Sequence, residues 1–242
     1  MKQVWALPFV FAAGIASADE TTSIAQFHRT QGTTSGDYNH KASGSYLYQW
    51  DDMYQVQADM GITSFSGGGG TDTAIGFHGS YNLTYELTAG AYAGWETFNA
   101  LSDDYYYFGL EASYHDDNMK IQFYTRNQGT SIPAFDNIAY GGNAELVISD
   151  AITLVGRGVV QDNDGEDRFT TVIGAGIDYT MPNGLTLSGE LVTWNKRVNW
   201  VPDAGEQSIT LGAKYIIGDR SGLFPDRSTV STLFGSDILP IY

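Results

Sequence analysis

The chain has 242 residues, with 12 Lys plus Arg against 28 Asp plus Glu and a formal net charge of -16. It contains no Cys, 29 Gly, 16 Tyr and 12 Phe, but only 6 Pro. This balance excludes a disulfide framework, a thiolate metal site and a Cys nucleophile. It also argues against a groove that neutralises nucleic-acid phosphates, and it fits neither a disordered chain nor a helical enzyme.

Residues 1–20 read MKQVWALPFVFAAGIASADE. Lys2 supplies a positive start, Val4 to Ala16 an apolar run, and Ala16-Ser17-Ala18 a small-x-small site before Asp19. This is the layout of a secretory signal peptide over 1–18, the bland alternative being a buried N-terminal helix. Removing it takes Lys2 away, makes the chain one unit more negative and places the protein outside the cytoplasm.

The remainder alternates with period two. Twelve strands are predicted near 22–30, 41–50, 54–65, 73–82, 85–97, 105–115, 119–127, 137–148, 152–161, 169–181, 185–196 and 207–218. The first is the weakest, because Thr22 to Thr30 alternates poorly. In the third, Tyr54, Val56, Ala58, Met60 and Ile62 oppose Gln55, Gln57, Asp59, Gly61 and Thr63. In the fifth, Tyr85, Leu87, Ala89, Ala91, Ala93 and Trp95 oppose Glu86, Thr88, Gly90, Tyr92, Gly94 and Glu96. In the seventh, Met119, Ile121, Phe123 and Thr125 oppose Lys120, Gln122, Tyr124 and Arg126. Such segments outrun the usual strand of about five or six residues and match the roughly 9–11 of a tilted transmembrane strand.

The connections follow the same rhythm. Tight ones at Asp51-Asp52-Met53, Leu83-Thr84, Asp116-Asp117-Asn118, Ser149-Asp150-Ala151 and Pro182-Asn183-Gly184 alternate with longer ones at 31–40, 66–72, 98–104, 128–136, 162–168 and 197–206. Short periplasmic turns, longer external loops and an even strand number define an outer-membrane barrel. Trp50, Tyr54, Tyr81, Tyr85, Tyr114, Tyr179 and Tyr215 fall near the short-turn end, and Trp95 and Trp194 near the other, as two interfacial girdles require. Trp200 falls in a loop beyond it. Trp194 shares its phase with Glu190 and is expected to face inward.

The predicted inward faces carry Glu86, Glu96, Glu111, Glu145 and Glu190 beside Lys120, Arg126, Arg157 and Lys214. In an oily core these ions would bear a large desolvation cost, whereas a wet lumen tolerates them. The fold expected is therefore an all-β, transmembrane, antiparallel up-and-down barrel over 19–218. These nine residues are its pore-lining candidates.

Phrases such as FGLEASYHDDNMKIQFYTR (Phe108–Arg126) and MPNGLTLSGEL (Met181–Leu191) give the chain a resemblance to small Gram-negative outer-membrane porins, similar to those of alphaproteobacteria. The resemblance covers roughly 41–218. It implies the outer membrane of a Gram-negative bacterium, contact with lipid and lipopolysaccharide, passage of small hydrophilic solutes or ions, and a class that admits homo-oligomers. General porins have sixteen strands. This chain is nearer in size to twelve-stranded channels, some of which pass acidic oligosaccharides through a basic lumen, and its inward carboxylates argue against that substrate class. Residues 219–242 end in Tyr242, as barrel proteins often end in an aromatic, but alternate badly and contain Pro240. They are read as a C-terminal tail, with a lumen plug or the true last strand left open.

Other chemistry is thin. The spacings His78–Ser80 and His115–Ser113 put hydroxyl and imidazole on one face, but no third orienting residue is specified. A twelve-stranded outer-membrane phospholipase offers no matching His/Ser/Asn arrangement. Asp162-Asn163-Asp164-Gly165-Glu166-Asp167 is oxygen-rich but lacks EF-hand spacing, and Gly67-Gly68-Gly69-Gly70 has no phosphate-cradle context. No catalytic residue, metal or cofactor is assigned.

The function expected is passive diffusion through a water-filled channel with mild cation preference. The four inward cations against Glu86, Glu96, Glu111 and Glu145 set up either a transverse field or simple wall pairing. The alternatives are a non-conducting outer-membrane scaffold or adhesin acting through its loops, favoured by tight interior packing, and a soluble periplasmic or secreted β-protein.

Overall fold

The computed structural model describes residues 21–33, 35–50, 53–66, 70–98, 103–130, 137–163, 168–198 and 201–218. The signal-like segment, the C-terminal tail with its alternatives, Trp200, and most of the Gly67–Gly70 and acidic loops lie outside the described residues.

The described residues form twelve strands. They are β1 (Thr21–Gly32), β2 (Tyr38–Trp50), β3 (Tyr54–Phe65), β4 (Thr71–Asn82), β5 (Leu87–Phe98), β6 (Asp103–His115), β7 (Met119–Thr130), β8 (Asn137–Ser149), β9 (Ile152–Asn163), β10 (Arg168–Thr180), β11 (Leu185–Val198) and β12 (Val201–Ile217). Each pairs antiparallel with its chain neighbours, and β1 pairs with β12, so the sheet closes on itself as a barrel. The seam runs from Ser23 opposite Ile217 to Gly32 opposite Ser208. The weakly alternating first segment is thus a full member of the wall. Its place is fixed by ladders on both sides more than by its own hydropathy.

Two expectations change. The predicted long connection 197–206 is mostly strand: β11 and β12 stay paired as far as Val198 opposite Val201, with a register shift between Lys196 and Arg197. The connections at that end of the barrel are 33–37, 66–70, 99–102, 131–136, 164–167 and 199–200. Those at the other end are 51–53, 83–86, 116–118, 150–151 and 181–184. Their lengths overlap, because strands at the loop end extend into segments read as loop.

The alternation sorts side chains by face. Phe77, Leu110, Phe123, Ile173 and Leu211 are exposed, whereas Gln55, Gln57, Asp59, Asp72, Glu96, Glu111, Gln122 and Arg126 are buried. In a wall one layer thick, a side chain becomes buried only by pointing to the inside. The barrel is therefore apolar outside and polar inside, the reverse of a soluble sheet packed on an oily core.

Aromatic residues occupy both rims of the outer face. Tyr48, Trp50, Tyr54 and Tyr81 form a stair near the turn end, with successive ring centroids 6.0, 5.6 and 5.2 Å apart. Trp95 and Tyr106 stack at 6.4 Å near the loop end. Trp194 is buried inside.

Inside the wall, tyrosines lie across glycines of the next strand. Gly94 is opposite Tyr107, Tyr92 opposite Gly109, and Tyr124 opposite Gly141. A Cβ at Gly94 or Gly141 would run into the opposing tyrosine ring, and one at Gly109 into the Thr125 carbonyl and the Tyr92 hydroxyl. Tyr92 donates to the Thr125 carbonyl at 2.8 Å and Tyr107 to the Ile75 carbonyl at 3.2 Å, so each ring bridges across the strand beside it. The missing side chains let the rings lie flat on the wall.

The turns are built from local chemistry. Asp116 accepts from the backbone N–H groups of Asn118 and Met119, each at 2.8 Å. Gly184 sits at φ 84, the left-handed region that glycine reaches without steric cost.

Gly109→Ala should lower stability by about 1–3 kcal/mol, the usual cost of overpacking. Tyr92→Phe, which loses the hydroxyl's bond to the Thr125 carbonyl, should cost about 1 kcal/mol. Urea titration of barrels folded into lipid vesicles measures both, and an unaltered Gly109→Ala midpoint would contradict the tyrosine-on-glycine packing.

Asp116 is held below its ordinary pKa of 3.8, first by the Asn118 N–H and then by that of Met119. Its carboxylate therefore supports the folded state above the unfolded pKa, and that support disappears as pH falls through the lower folded value. An NMR titration of the Asp116 carboxyl should give a midpoint under 3.8, and Asp116→Ala should remove this contribution to acid sensitivity.

Candidate functional site in the barrel interior

Period two brings an ionisable group from each of the twelve strands onto the inner face, and their distribution around the barrel is uneven. The carboxylates Asp59, Asp72, Glu96 and Glu111 stand on the consecutive strands β3 to β6, all buried. The cations are elsewhere: Lys41 on β2, Lys120 and Arg126 on β7, Arg157 on β9, Lys196 on β11 and Lys214 on β12.

Within the acidic arc, His78 sits between two carboxylates. Its Nε2 is 2.7 Å from Asp59 Oδ2 and its Nδ1 2.6 Å from Glu111 Oε1. Gln57 donates to Asp59 Oδ1 at 2.8 Å, and the Tyr92 ring stacks on the imidazole with centroids 5.4 Å apart. The group ties β3, β4 and β6 together across β5. A buried carboxylate needs a partner, and here one imidazole serves two.

The cationic arc is held by pairs. Arg157 Nε donates to Glu190 Oε1 at 2.7 Å, and Lys214 Nζ donates to Asp178 Oδ2. Gly174 makes room for the first pair, since a Cβ there would meet both Glu190 and Arg157. Arg126 is fully buried and donates from Nη2 to Asn137 Oδ1 at 3.2 Å and Gln161 Oε1 at 3.0 Å.

Solvent access divides the interior as well. Inward side chains of β3 to β7 are mostly packed shut, and toward the loop end Tyr92, Tyr107, Tyr124, Ala139, Val159, Val172, Val192 and Trp194 form a buried apolar cluster. Partly exposed inward groups gather on the opposite side: Asn143 and Glu145 on β8, Arg157 on β9, Ser188 and Glu190 on β11, Lys214 on β12, Gln26 and His28 on β1.

Of the nine pore-lining candidates, Glu96, Glu111 and Arg126 are buried within the wall's inner side, and Glu145, Glu190, Lys120, Arg157 and Lys214 are partly buried there. Glu86 is the exception. β5 begins at Leu87, so Glu86 belongs to the connection 83–86 and is exposed. Thr84 Oγ1 accepts from the Glu86 and Leu87 backbone N–H groups, which turns the chain before the strand starts.

Sequence reasoning left Lys41, Asp59, Asp72, Asp178, Lys196 and His28 out of the candidate set. All share the inward phase of their strands, and carrying the period through every predicted segment would have found all but Asp72, which lies in the predicted connection 66–72 although β4 begins at Thr71. The His78–Ser80 spacing assembles no nucleophile and base, because both ring nitrogens face carboxylates and Ser80 donates to Gln55 at 3.1 Å.

No protein-family model matches the sequence, and no curated protein matches it either. The fold has clear likenesses among solved structures. A structure of the NanC porin superposes with TM-score 0.63 at 12% identity, covering 79% of this chain and 98% of that one. The KdgM porin in complex with disordered oligogalacturonate gives TM-score 0.55 at 10% identity, covering 80% and 98%. An outer-membrane channel from Pseudomonas putida F1 gives 0.54 at 13% identity, covering 84% and 97%. The chain is thus a closed twelve-stranded antiparallel barrel with the architecture of outer-membrane porins. Nothing in these likenesses singles out the alphaproteobacterial group.

His78→Leu should remove the imidazole that the buried Asp59 and Glu111 share and lower stability by about 3–5 kcal/mol. Adding Asp59→Asn and Glu111→Gln should recover most of that loss. Urea unfolding of the single and triple variants is the check, and an equal loss in both would show that packing, not charge, sets the cost.

Proposed function

We propose that the protein is an outer-membrane channel for passive diffusion of small hydrophilic solutes. The observation that carries this reading is the partly exposed polar wall of β8, β9, β11, β12 and β1 inside a barrel whose outer face is apolar. Lipid suits that outer face, and water suits the inner one. The proposed location is the outer membrane of a Gram-negative bacterium, with lipid and lipopolysaccharide around the barrel. The signal segment 1–18 is consistent with export to it.

Inward carboxylates and cations nearly balance, so selectivity arises mainly from the net acidity of the chain and the exposed acidic connections. A mild cation preference follows. The segregation of Asp59, Asp72, Glu96 and Glu111 from the cations supports a field across the lumen, while the Arg157–Glu190 and Lys214–Asp178 pairs show that wall pairing operates too. The chemistry is non-enzymatic in this reading.

A non-conducting scaffold is the second reading. It is favoured by the packed interior of β3 to β7 and by the apolar cluster toward the loop end.

Reconstitution into planar bilayers separates the two. The channel reading expects discrete conductance steps and, under a KCl gradient, a reversal potential of mildly cation-selective sign. Absence of conductance from properly folded, heat-modifiable protein would favour the scaffold. Anion-selective reversal would overturn the charge argument alone.

A further inference from the structure

The outer face of the barrel carries an ionisable cluster of its own. Arg29 on β1 and Tyr38 and His40 on β2 have the outward phase of their strands, opposite to the buried Thr30, Asn39 and Lys41. The register sets Arg29 beside His40, with Leu211 of β12 on its other side and Ser64 of β3 beyond His40. Arg29 Cζ lies 4.8 Å from the centre of the Tyr38 ring. The His40 ring meets Tyr38 edge-on with centroids 5.4 Å apart, and stacks on Phe27 at 5.9 Å.

Arg29 is exposed and, among the described residues, has neither a carboxylate nor a hydrogen-bond acceptor. The inward cations Arg157 and Lys214 are both paired. Of the lysines and arginines with described side chains, Lys41, Lys120, Arg126, Arg157, Lys196 and Lys214 point inward, and Arg29 alone points out. A charge on a face that meets hydrocarbon is costly, so its depth matters. Toward the turn end the adjoining outward residues are apolar, at Phe27, Ala42, Ile62 and Leu211, whereas toward the loop end they are Gln31, Ser64 and Gln207. Arg29 and His40 therefore stand where the outer face changes from apolar to polar. Arg29 is as far from the loop end of β1 as the girdle residue Trp95 is from that of β5. That is the level of lipid headgroups.

The wall below the cluster is shallow. Ala25, Ala42, Gly44 and Ala213 face outward there, and Phe27 is only half-exposed, whereas Phe77, Phe108 and Phe123 project from other parts of the outer face. A strip of small residues thus leads from the cation down toward the middle of the membrane.

We propose that this cluster binds the phosphate of a phosphorylated outer-leaflet glycolipid, the lipid A end of lipopolysaccharide, with an acyl chain along the shallow strip. The phosphate supplies the negative charge and acceptor oxygens that Arg29 lacks within the chain, and the guanidinium fork matches it. Tyr38 and His40 flank the contact with rings that suit the boundary between hydrocarbon and water. The proposal rests on the outer-membrane reading with the loop end facing outward.

The full chain folded in a neutral maltoside detergent is mixed with bisphosphorylated lipid A or with its dephosphorylated form, and bound lipid is counted by native mass spectrometry. The phosphorylated lipid should be favoured about fivefold, the scale set by one cation at an anionic surface. Arg29→Gln should abolish that preference. Arg29→Lys, which keeps the charge but not the fork, should retain about half of it. Neither substitution strands another described group, and heat-modifiable migration confirms that each variant folds. Equal binding of the two lipids, or a preference unaltered in Arg29→Gln, overturns the site. Release of the lipid by excess inorganic phosphate also overturns it, because the site would then be one for a free anion. So does a wild-type dimer that Arg29→Gln abolishes, because the face would then belong to a second copy. Insertion into phosphatidylcholine vesicles keeps the two ideas apart. A barrel that inserts but shows no phosphate preference loses the lipid site alone, whereas one that fails to insert loses the membrane reading and the site together.

Discussion

A sheet in contact with hydrocarbon has no water to satisfy a free edge, and every backbone N–H and C=O must find its partner within the protein. In this chain the demand falls on one seam, β1 against β12, which joins the first described strand to the last over Ser23–Gly32 and Ile217–Ser208. Once that ladder is made, no edge remains. Two surfaces result, and the period of two assigns alternate residues to them without further instruction. The same closure that meets the backbone's needs also encloses a space, so the interior chemistry is a consequence of the wall.

That interior is held in two different ways. On β3 to β7, tyrosines flattened over glycines and the Asp59–His78–Glu111 group pack the wall tightly. On β8 to β12 and β1, ion pairs hold Arg157 and Lys214 while leaving them accessible. Packing gives rigidity to one side, and the charged side is the more open to the interior. The barrel likenesses at 10% to 13% identity fit this division, because the architecture depends on alternation and closure, which many sequences satisfy.

Most of the wall was legible in the sequence because a strand with one polar and one apolar face writes its own pattern, as in Met119 to Arg126. The parts that were not legible depend on partners. Thr22 to Thr30 reads poorly alone, yet it is paired on both sides. Residues 201–206 read as loop, yet they continue β12 because β11 runs alongside. Glu86 shares the inward phase of β5 but precedes the strand, since Thr84 turns the chain there. The interior charges Asp59 and Asp178 were readable by phase, whereas Asp72 sat in a segment read as loop. The segregation of Asp59, Asp72, Glu96 and Glu111 from the cations was not, because it depends on which strands become neighbours around a closed ring.

The central claim is that alternate residues meet lipid and the enclosed interior, and two tryptophans report on it directly. Trp95 is outward and 48% exposed, whereas Trp194 is inward and 8% exposed. Variants retaining one or the other as their single Trp can be folded into vesicles of lipids brominated along the acyl chain. The account predicts strong bromine quenching of Trp95 fluorescence and little quenching of Trp194. Equal quenching of both, or stronger quenching of Trp194, would contradict it.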